Sequence, residues 1–447
     1  MSQWMARLVE SESLTARGFG VTVRVTRDAS PVTTLEPDRV IDGLSSEAKS
    51  DWSVVLLAER IVWAGPSREL PAVYENGEKR VYRDCTLLPG FVDSHTHFTL
   101  FADGRSYEEM ASESDAAMLM AGIRNARTHL LSGVTTARDN GSRGDVALVL
   151  RDAINAGVVP GPRLLVSGPP VTPTQGHFHW CNGVADGMSE IVERVNALIS
   201  RGVDHVKIMA SGGGTAGSDP SAACYATDEI RSATTTAHSH GALVTAHSRA
   251  TESIVRAVDG EVDCIEHAEF LDHDGVLRYD AKVAQRIFDK GIYVSPTLQA
   301  YGWDRILKLR KKSEEGFLSK LQNRELENLE RQMTIRLEQM NSLRNLGMAK
   351  FIVSGTDAGC DDFSFGHMDW ALQLLVAAGF TEMEALQSAT SGAARACGVE
   401  TEVGFIRSGH RADLLIVEGD PLNNVAAVAN VRAVYKGGTA VSLAPCV

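Results

Sequence analysis

The chain lacks paired cysteines. Its seven cysteines, Cys85, Cys181, Cys224, Cys264, Cys360, Cys397 and Cys446, are odd in number and scattered, with no CxxC spacing. That pattern excludes a cysteine-built zinc ribbon or a dense disulfide framework, and it reads as free thiols in a reducing compartment. Blocks of lysine and arginine are also missing, and the formal net charge is −13. Nucleic acid and anionic membrane surfaces are therefore not expected partners. No run of about 18 apolar residues occurs, so no conventional membrane span is expected. The opening MSQWMARLVESESL has no apolar stretch of the kind a secretory signal uses. The expectation is a cytoplasmic protein whose partner is a small-molecule substrate, with homo-oligomerisation left open.

What is present is enough chain for one large domain and a smaller one, at 447 residues with 44% apolar content. Both chain ends read as short strands broken by turns. Residues 21–25, 54–57 and 60–64 are strand-like near the start, and residues 413–417 and 431–435 near the end. The middle alternates short apolar runs with helical stretches. The runs lie near residues 87–92, 134–137, 163–166, 205–209, 242–246, 262–265, 292–295 and 350–353. Residues 116–131 and 372–378 carry helical spacing, and Thr381 with Glu384 has the form of a capping box. Strand-plus-helix repeats of this number predict an α/β fold, a parallel (β/α)8 barrel of the TIM type. The expected boundaries are 89–400 for the barrel, with 1–88 and 401–447 forming the smaller domain. Residues 303–346 form the longest insertion, read as two helices with one solvated face.

Catalytic groups of such a barrel sit at the C-terminal ends of its strands. The first run ends in Asp93-Ser94-His95-Thr96-His97. Residues two apart on a strand share a side, so both imidazoles face one point. The fourth run carries Lys207, the fifth ends in His247, the sixth in His267 and the eighth in Asp357. Imidazole and carboxylate suit divalent metal ions, zinc foremost. Lysine as an ammonium has no lone pair, but a buried lysine sheds its proton. The neutral amine takes up carbon dioxide as a carbamate, whose two oxygens can bridge two metals. Two metals about 3.5–4 Å apart can share a hydroxide and polarise a carbonyl. Asp357 would take the hydroxide's proton and pass it to the leaving nitrogen. A lone histidine on an apolar face is usually a packing residue. Ligand-type residues on five separate strand ends are far harder to obtain by chance.

The segments LLPGFVDSHTH, HVKIMASGG, VTAHS, IEHAEFLD, SGTDAG and GHRADLLIVEGDPL resemble the amidohydrolase superfamily. The likeness is greatest to the branch related to imidazolonepropionases and Xaa-Pro dipeptidases, which includes phenylurea and thiocarbamate herbicide hydrolases. This resemblance implies a β-sandwich built from both chain ends. It implies a carboxylated Lys207 bridging two metals, one held by His95, His97 and Asp357, the other by His247 and His267. Deaminase relatives carry Glu three residues after the fifth-strand histidine; here that position is Ala250. All six ligand positions are filled, which favours an enzyme over a non-catalytic scaffold of the same fold.

His177, in TPTQGHFHW, matches a loop histidine that contacts the substrate carbonyl in dipeptidase-like relatives, where it would hold the oxyanion. Phe178 and Trp180 replace a glycine-rich pattern there. With Phe98 and Phe101 they point to an apolar or aromatic substrate. Tyr225, in SDPSAACYATDEI, stands where relatives place a substrate contact. Arg138 and Arg249 are expected to pair with nearby acids rather than clamp a carboxylate. His367 is read as a support for the site, and Gly212-Gly213-Gly214 as a close backbone approach beside it. His238 and His240 are expected at a helix end, and His129, His205, His273 and His410 in structural roles. The activity expected is hydrolysis of an amide-type C–N bond in a urea, carbamate or amide. The alternative within the class is a dipeptide or N-acyl amino acid substrate.

Overall fold

The computed structural model describes residues 32–442. The strand expected over residues 21–25, and Cys446, lie outside them. The first four strands are β1 (Thr33–Val40), β2 (Trp52–Leu57), β3 (Arg60–Pro66) and β4 (Glu78–Pro89). Seven follow in the middle of the chain: β5 (Phe91–Thr96), β6 (Val134–Asp139), β7 (Arg163–Val166), β8 (His205–Met209), β9 (Leu243–Ala250), β10 (Cys264–Leu271) and β11 (Tyr293–Ser295). The last are β12 (Leu414–Glu418), β13 (Val431–Lys436) and β14 (Thr439–Ala440).

Both chain ends meet in one seven-stranded sheet, ordered β14-β13-β12-β4-β1-β2-β3. Strand β4 joins them. It runs parallel to β1 from Glu78 to Leu87 and antiparallel to β12 from Cys85 to Pro89. Its sequence follows this division: EKRVYRD is largely solvated, while CTLLP is buried between neighbours. A two-sheet sandwich was expected; one long shared strand instead keeps the halves in a single sheet. Leu35, Val54, Ile61, Leu87, Leu414 and Ile416 form its own core.

The middle strands make two parallel sheets, β5-β6-β7 and β11-β10-β9-β8. Their strands are buried along both faces, which is why they read as continuous apolar runs rather than as alternation. Single parallel bridges link the sheets: Val171 to Ile208, Val294 to Ile352, and Ala358 back to Thr96. The expected first run divides at Gly90. Residues before it pair in the terminal sheet, and those after it begin β5. A Cβ at Gly90 would strike the Thr135 side chain, so only glycine allows this close passage between the two units. The expected eighth strand is not regular. A short 3-10 turn (Met348–Phe351) precedes Ile352, and Asp357 takes a φ of 57°. Thr356 spends its N–H and hydroxyl on Asp93 (3.1 and 2.6 Å) instead of on a ladder.

The helical readings hold. Residues 116–131 fall in the helix Asp115–Leu131, capped by the Ser114 side chain. Thr381 and Glu384 form a reciprocal capping box. The insertion is two helices, Trp303–Glu314 and Lys320–Asn345, turned at Gly316 with φ 76°. Arg305–Glu325 and Arg310–Glu330 pairs tie them together, while Ile306, Leu309, Met333, Met340 and Leu343 face the core.

Candidate metal centre

The C-terminal ends of the parallel strands surround a cavity of about 230 Å³. His95, His97, His177, Lys207, His247, His267 and Asp357 all line it. Asp357 Oδ1 lies 3.2 Å from His95 Nε2 and 3.2 Å from His97 Nε2. The two Nε2 atoms are 3.3 Å apart. Among the described residues, no other group of three His, Cys, Asp or Glu ligand atoms converges within 4.8 Å. The left-handed backbone at Asp357 serves this convergence, and its N–H donates to the His95 carbonyl at 2.8 Å. His247 and His267 stand next to that triad without joining it. Their ring centroids are 4.5 Å apart, and His267 is 5.0 Å from His95.

The partners of these rings decide which nitrogen keeps a lone pair. His95 Nδ1–H donates to Glu266 Oε2 at 2.7 Å, and His97 Nδ1–H to the Gly141 carbonyl at 3.1 Å. Both therefore present Nε2 to Asp357. His247 does the reverse: Nε2–H donates to the Gly212 carbonyl at 3.0 Å, which frees Nδ1. His267 Nδ1 meets the Thr297 hydroxyl at 2.8 Å. Committing one ring N–H to an oxygen and leaving the other nitrogen bare is the usual arrangement of metal-binding histidines. Burial pushes the His247 and His267 pKa values well below the ordinary imidazole value, so these rings are neutral. Burial raises Asp357, but the facing His95 and His97 rings outweigh it and hold its carboxyl well below the usual range.

Lys207 is 1% exposed, and its Nζ has no hydrogen-bond partner. Burial pushes it down to about 8, while Glu266 and Asp357 pull it back upward. A buried ammonium without an acceptor is costly, so this position makes the neutral amine far more accessible than it is for a solvated lysine. Imidazole lone pairs, a carboxylate and an orphaned amine together fit a divalent metal.

The chain's family is decided by comparison with known proteins. Residues 86–441 match the model of the Amidohydrolase family. This chain belongs to the amidohydrolase family. It is similar to the ochratoxinase of Aspergillus niger, with 25% identity over 92% of this chain and 87% of that protein. The structure of a Xaa-Pro dipeptidase with bound methionine superposes with a TM-score of 0.77 at 26% identity, covering 92% of this chain and 99% of the other. Phenylurea hydrolase B shares the fold, with a TM-score of 0.75 at 21% identity over 92% of this chain and 97% of its own.

In this amidohydrolase several sequence expectations are displaced. Tyr225 does not line the cavity. It is 2% exposed in the core, and its hydroxyl donates to the Ala185 carbonyl at 2.8 Å. Phe178 does line it, stacked on His97 with centroids 5.0 Å apart. Trp180 stands behind Phe178, stacked at 5.5 Å, and does not reach the cavity. Phe98 packs on Phe365, and Phe101 lies under Arg105. His367 stacks on Trp370 at 3.8 Å, away from the site. Arg138 and Arg249 pair with Glu266 and Glu269, as expected. His129 and His205 are buried against Asp93 and Asn140.

Other residues took the places left open. Tyr107, Tyr301 and Phe363 supply aromatic surface to the cavity. Tyr301 follows β11, one of two parallel strands, with β6, whose ends had no assigned site residue, and that gap was the available signal. Glu266 was missed because strand alternation places it opposite His267. Positive φ at His267 and Ala268 (72° and 49°) departs from regular strand geometry there; His267 lines the cavity, and Glu266 meets the site through His95 Nδ1.

Proposed function

We propose that this amidohydrolase is a two-metal hydrolase of amide-type C–N bonds in small substrates that carry an aromatic or apolar group. The observation that carries the proposal is Lys207, a buried amine with no partner on a rim shared with His95, His97, His247, His267 and Asp357. In this reading His95, His97 and Asp357 would hold one zinc ion and His247 and His267 the other, with a carboxylated Lys207 as the ligand common to both. Bound there, the metals would activate water and polarise the scissile carbonyl. The parallel sheets and residues 352–358 form one (β/α)8 barrel over 89–400, with the described parts of 1–88 and 401–447, residues 32–88 and 401–442, building the sheet domain. The three inter-sheet bridges support that closure.

The chain's own groups then divide the work. Asp357, held ionised, accepts a proton at its carboxylate and returns it to the leaving nitrogen. His177 steadies the carbonyl oxygen as it gains charge. Phe178, Tyr107 and Tyr301 form the wall against which an aromatic group packs. A second reading, a dipeptidase or N-acyl amino acid hydrolase, is favoured by Arg249, which lines the cavity while paired with Glu269. Zinc-reconstituted protein should hydrolyse phenylureas or aryl carbamates faster than dipeptides. The reverse order selects the second reading, and no hydrolysis of any arm by zinc-replete protein rejects both.

A further inference from the structure

Five histidine rings follow one another around the cavity, and the fifth is wired with the opposite polarity. His177 sits beside His247, with centroids 4.8 Å apart. His95, His97 and His247 each donate an N–H to an oxygen. The His177 Nδ1 instead meets two donors on one residue. The Thr215 hydroxyl lies 2.9 Å away, and the Thr215 backbone N–H points at the same atom at 3.3 Å. The Phe178 backbone N–H donates into the Thr215 hydroxyl oxygen at 3.1 Å. That contact uses one of the oxygen's two lone pairs and leaves the hydroxyl proton available for Nδ1. A proton on Nδ1 would face the backbone N–H of Thr215 with no acceptor between them.

The ring has little room to evade this arrangement. Gly213 lies against its face, and a Cβ there would come within 2.6–2.7 Å of the imidazole. Tyr107 closes another side, edge-on at 5.5 Å. Thr215 is 2% exposed, so water does not compete for its hydroxyl.

We propose that Thr215 is a positioning residue that fixes His177 as the Nε2–H tautomer, so that this ring offers the cavity a proton where His95, His97 and His247 offer lone pairs. The inference rests on the hydrolase reading for its consequence. A neutral Nε2–H donor can stabilise a carbonyl oxygen that gains negative charge, and it cannot compete as a metal ligand through the same atom. The same loop thus keeps a fifth imidazole out of the metal site. The Thr215 hydroxyl does this without touching substrate.

The test uses zinc-loaded, full-length protein labelled with 15N-histidine, read by two-bond proton–nitrogen correlation spectra. The His177 signals are identified by their loss in His177→Gln. The parent should give the pattern of an Nε2–H imidazole. Thr215→Val should give a mixed pattern, with turnover reduced about tenfold or more. That loss falls short of the roughly 10²–10³ that follows removal of an oxyanion donor outright, because the backbone N–H remains. KM and zinc content should stay near parent values, and Thr215→Ser should restore both pattern and turnover. An Nδ1–H pattern in the parent overturns the proposal and needs no folded Thr215 variant. So does a Thr215→Val protein with the parent pattern and parent turnover. If His177→Gln retains full turnover, the oxyanion role falls, while the spectrum still decides what Thr215 does.

Discussion

Glu266 is the residue through which the candidate metal centre can be weakened without touching a ligand. Its side chain is fully buried. One oxygen accepts from His95 Nδ1–H at 2.7 Å, and the other from Arg138 at 3.0 Å. Burial opposes its charge, but His95, Arg138 and Lys207 overcome that and hold it ionised. Glu266→Gln keeps the shape and replaces one acceptor by an NH2 group. That group must face one of two donors. Turned toward His95, it drives the ring proton to Nε2, the atom that faces Asp357. Metal affinity should then fall about 10–100-fold, as for other supports of ligating histidines. That corresponds to about 1.4–2.7 kcal/mol. The carboxylate charge beside Arg138 is lost either way; turned toward Arg138, the NH2 group also removes the guanidinium's acceptor there. Arg138 would keep only neutral partners, the Ser94 and Ala396 carbonyls and Cys264. The cost then appears as fold stability, about 3–5 kcal/mol.

The two outcomes separate cleanly in paired assays. Zinc affinity from chelator competition reports the first, and urea unfolding of metal-free protein reports the second. Adding Arg138→Met to Glu266→Gln should recover stability without recovering zinc affinity, because only the His95 contact concerns the metal. A Glu266→Gln protein with parent zinc affinity and parent stability would refute the assignment of both contacts.

Three further perturbations have defined outcomes. Lys207→Ala should lose most bound zinc, with partial recovery of turnover on adding short-chain carboxylic acids; unchanged metal and rate would remove its bridging role. Asp357→Asn should stay folded and lose at least 10²-fold in kcat, on the scale of about 10²–10⁴ for positioned acid–base groups; near-parent kcat rejects it as the proton carrier. Lys436 is a control away from the site, where burial lowers its pKa to about 8 from 10.5. Between those values the unfolded chain holds a proton that the folded chain does not, so its contribution to stability rises with pH across that window. The penalty below pH 8 is about 3 kcal/mol. Lys436→Met should be more stable than the parent at pH 7 and lose that advantage by pH 10.5 in urea unfolding; a constant difference contradicts the assignment.

The contrast between what was legible and what was not lies in periodicity. Strands buried on both faces announce themselves as apolar runs, and chemistry at their ends is then found by position alone. His95, His97, Lys207, His247, His267 and Asp357 were reached in that way, and all line one cavity. Two helices were equally plain, the one over Asp115–Leu131 from its apolar spacing and the one after Thr381 from a capping box that acts within four residues. The terminal sheet was legible as strands but not as one sheet, since β4 pairs with nearby β1 on one side and with β12, hundreds of residues away in sequence, on the other.

Loop side chains follow no such rule. Phe178 and Trp180 are two residues apart on a loop, yet one meets His97 and the other lies behind it. Tyr225 sits in a segment with the right neighbours, but its hydroxyl is taken by the Ala185 carbonyl. Glu266 was hidden by a local break in strand geometry, and Thr215 by a partner 38 residues away. The six residues that strand position identified are the candidate ligands. The residues that orient them, and those that choose the substrate, depend on which backbone groups happen to be nearby. Specificity in this amidohydrolase is therefore expected to change most through substitutions at Phe178, Tyr107 and Tyr301, which line the cavity without standing at predicted strand ends.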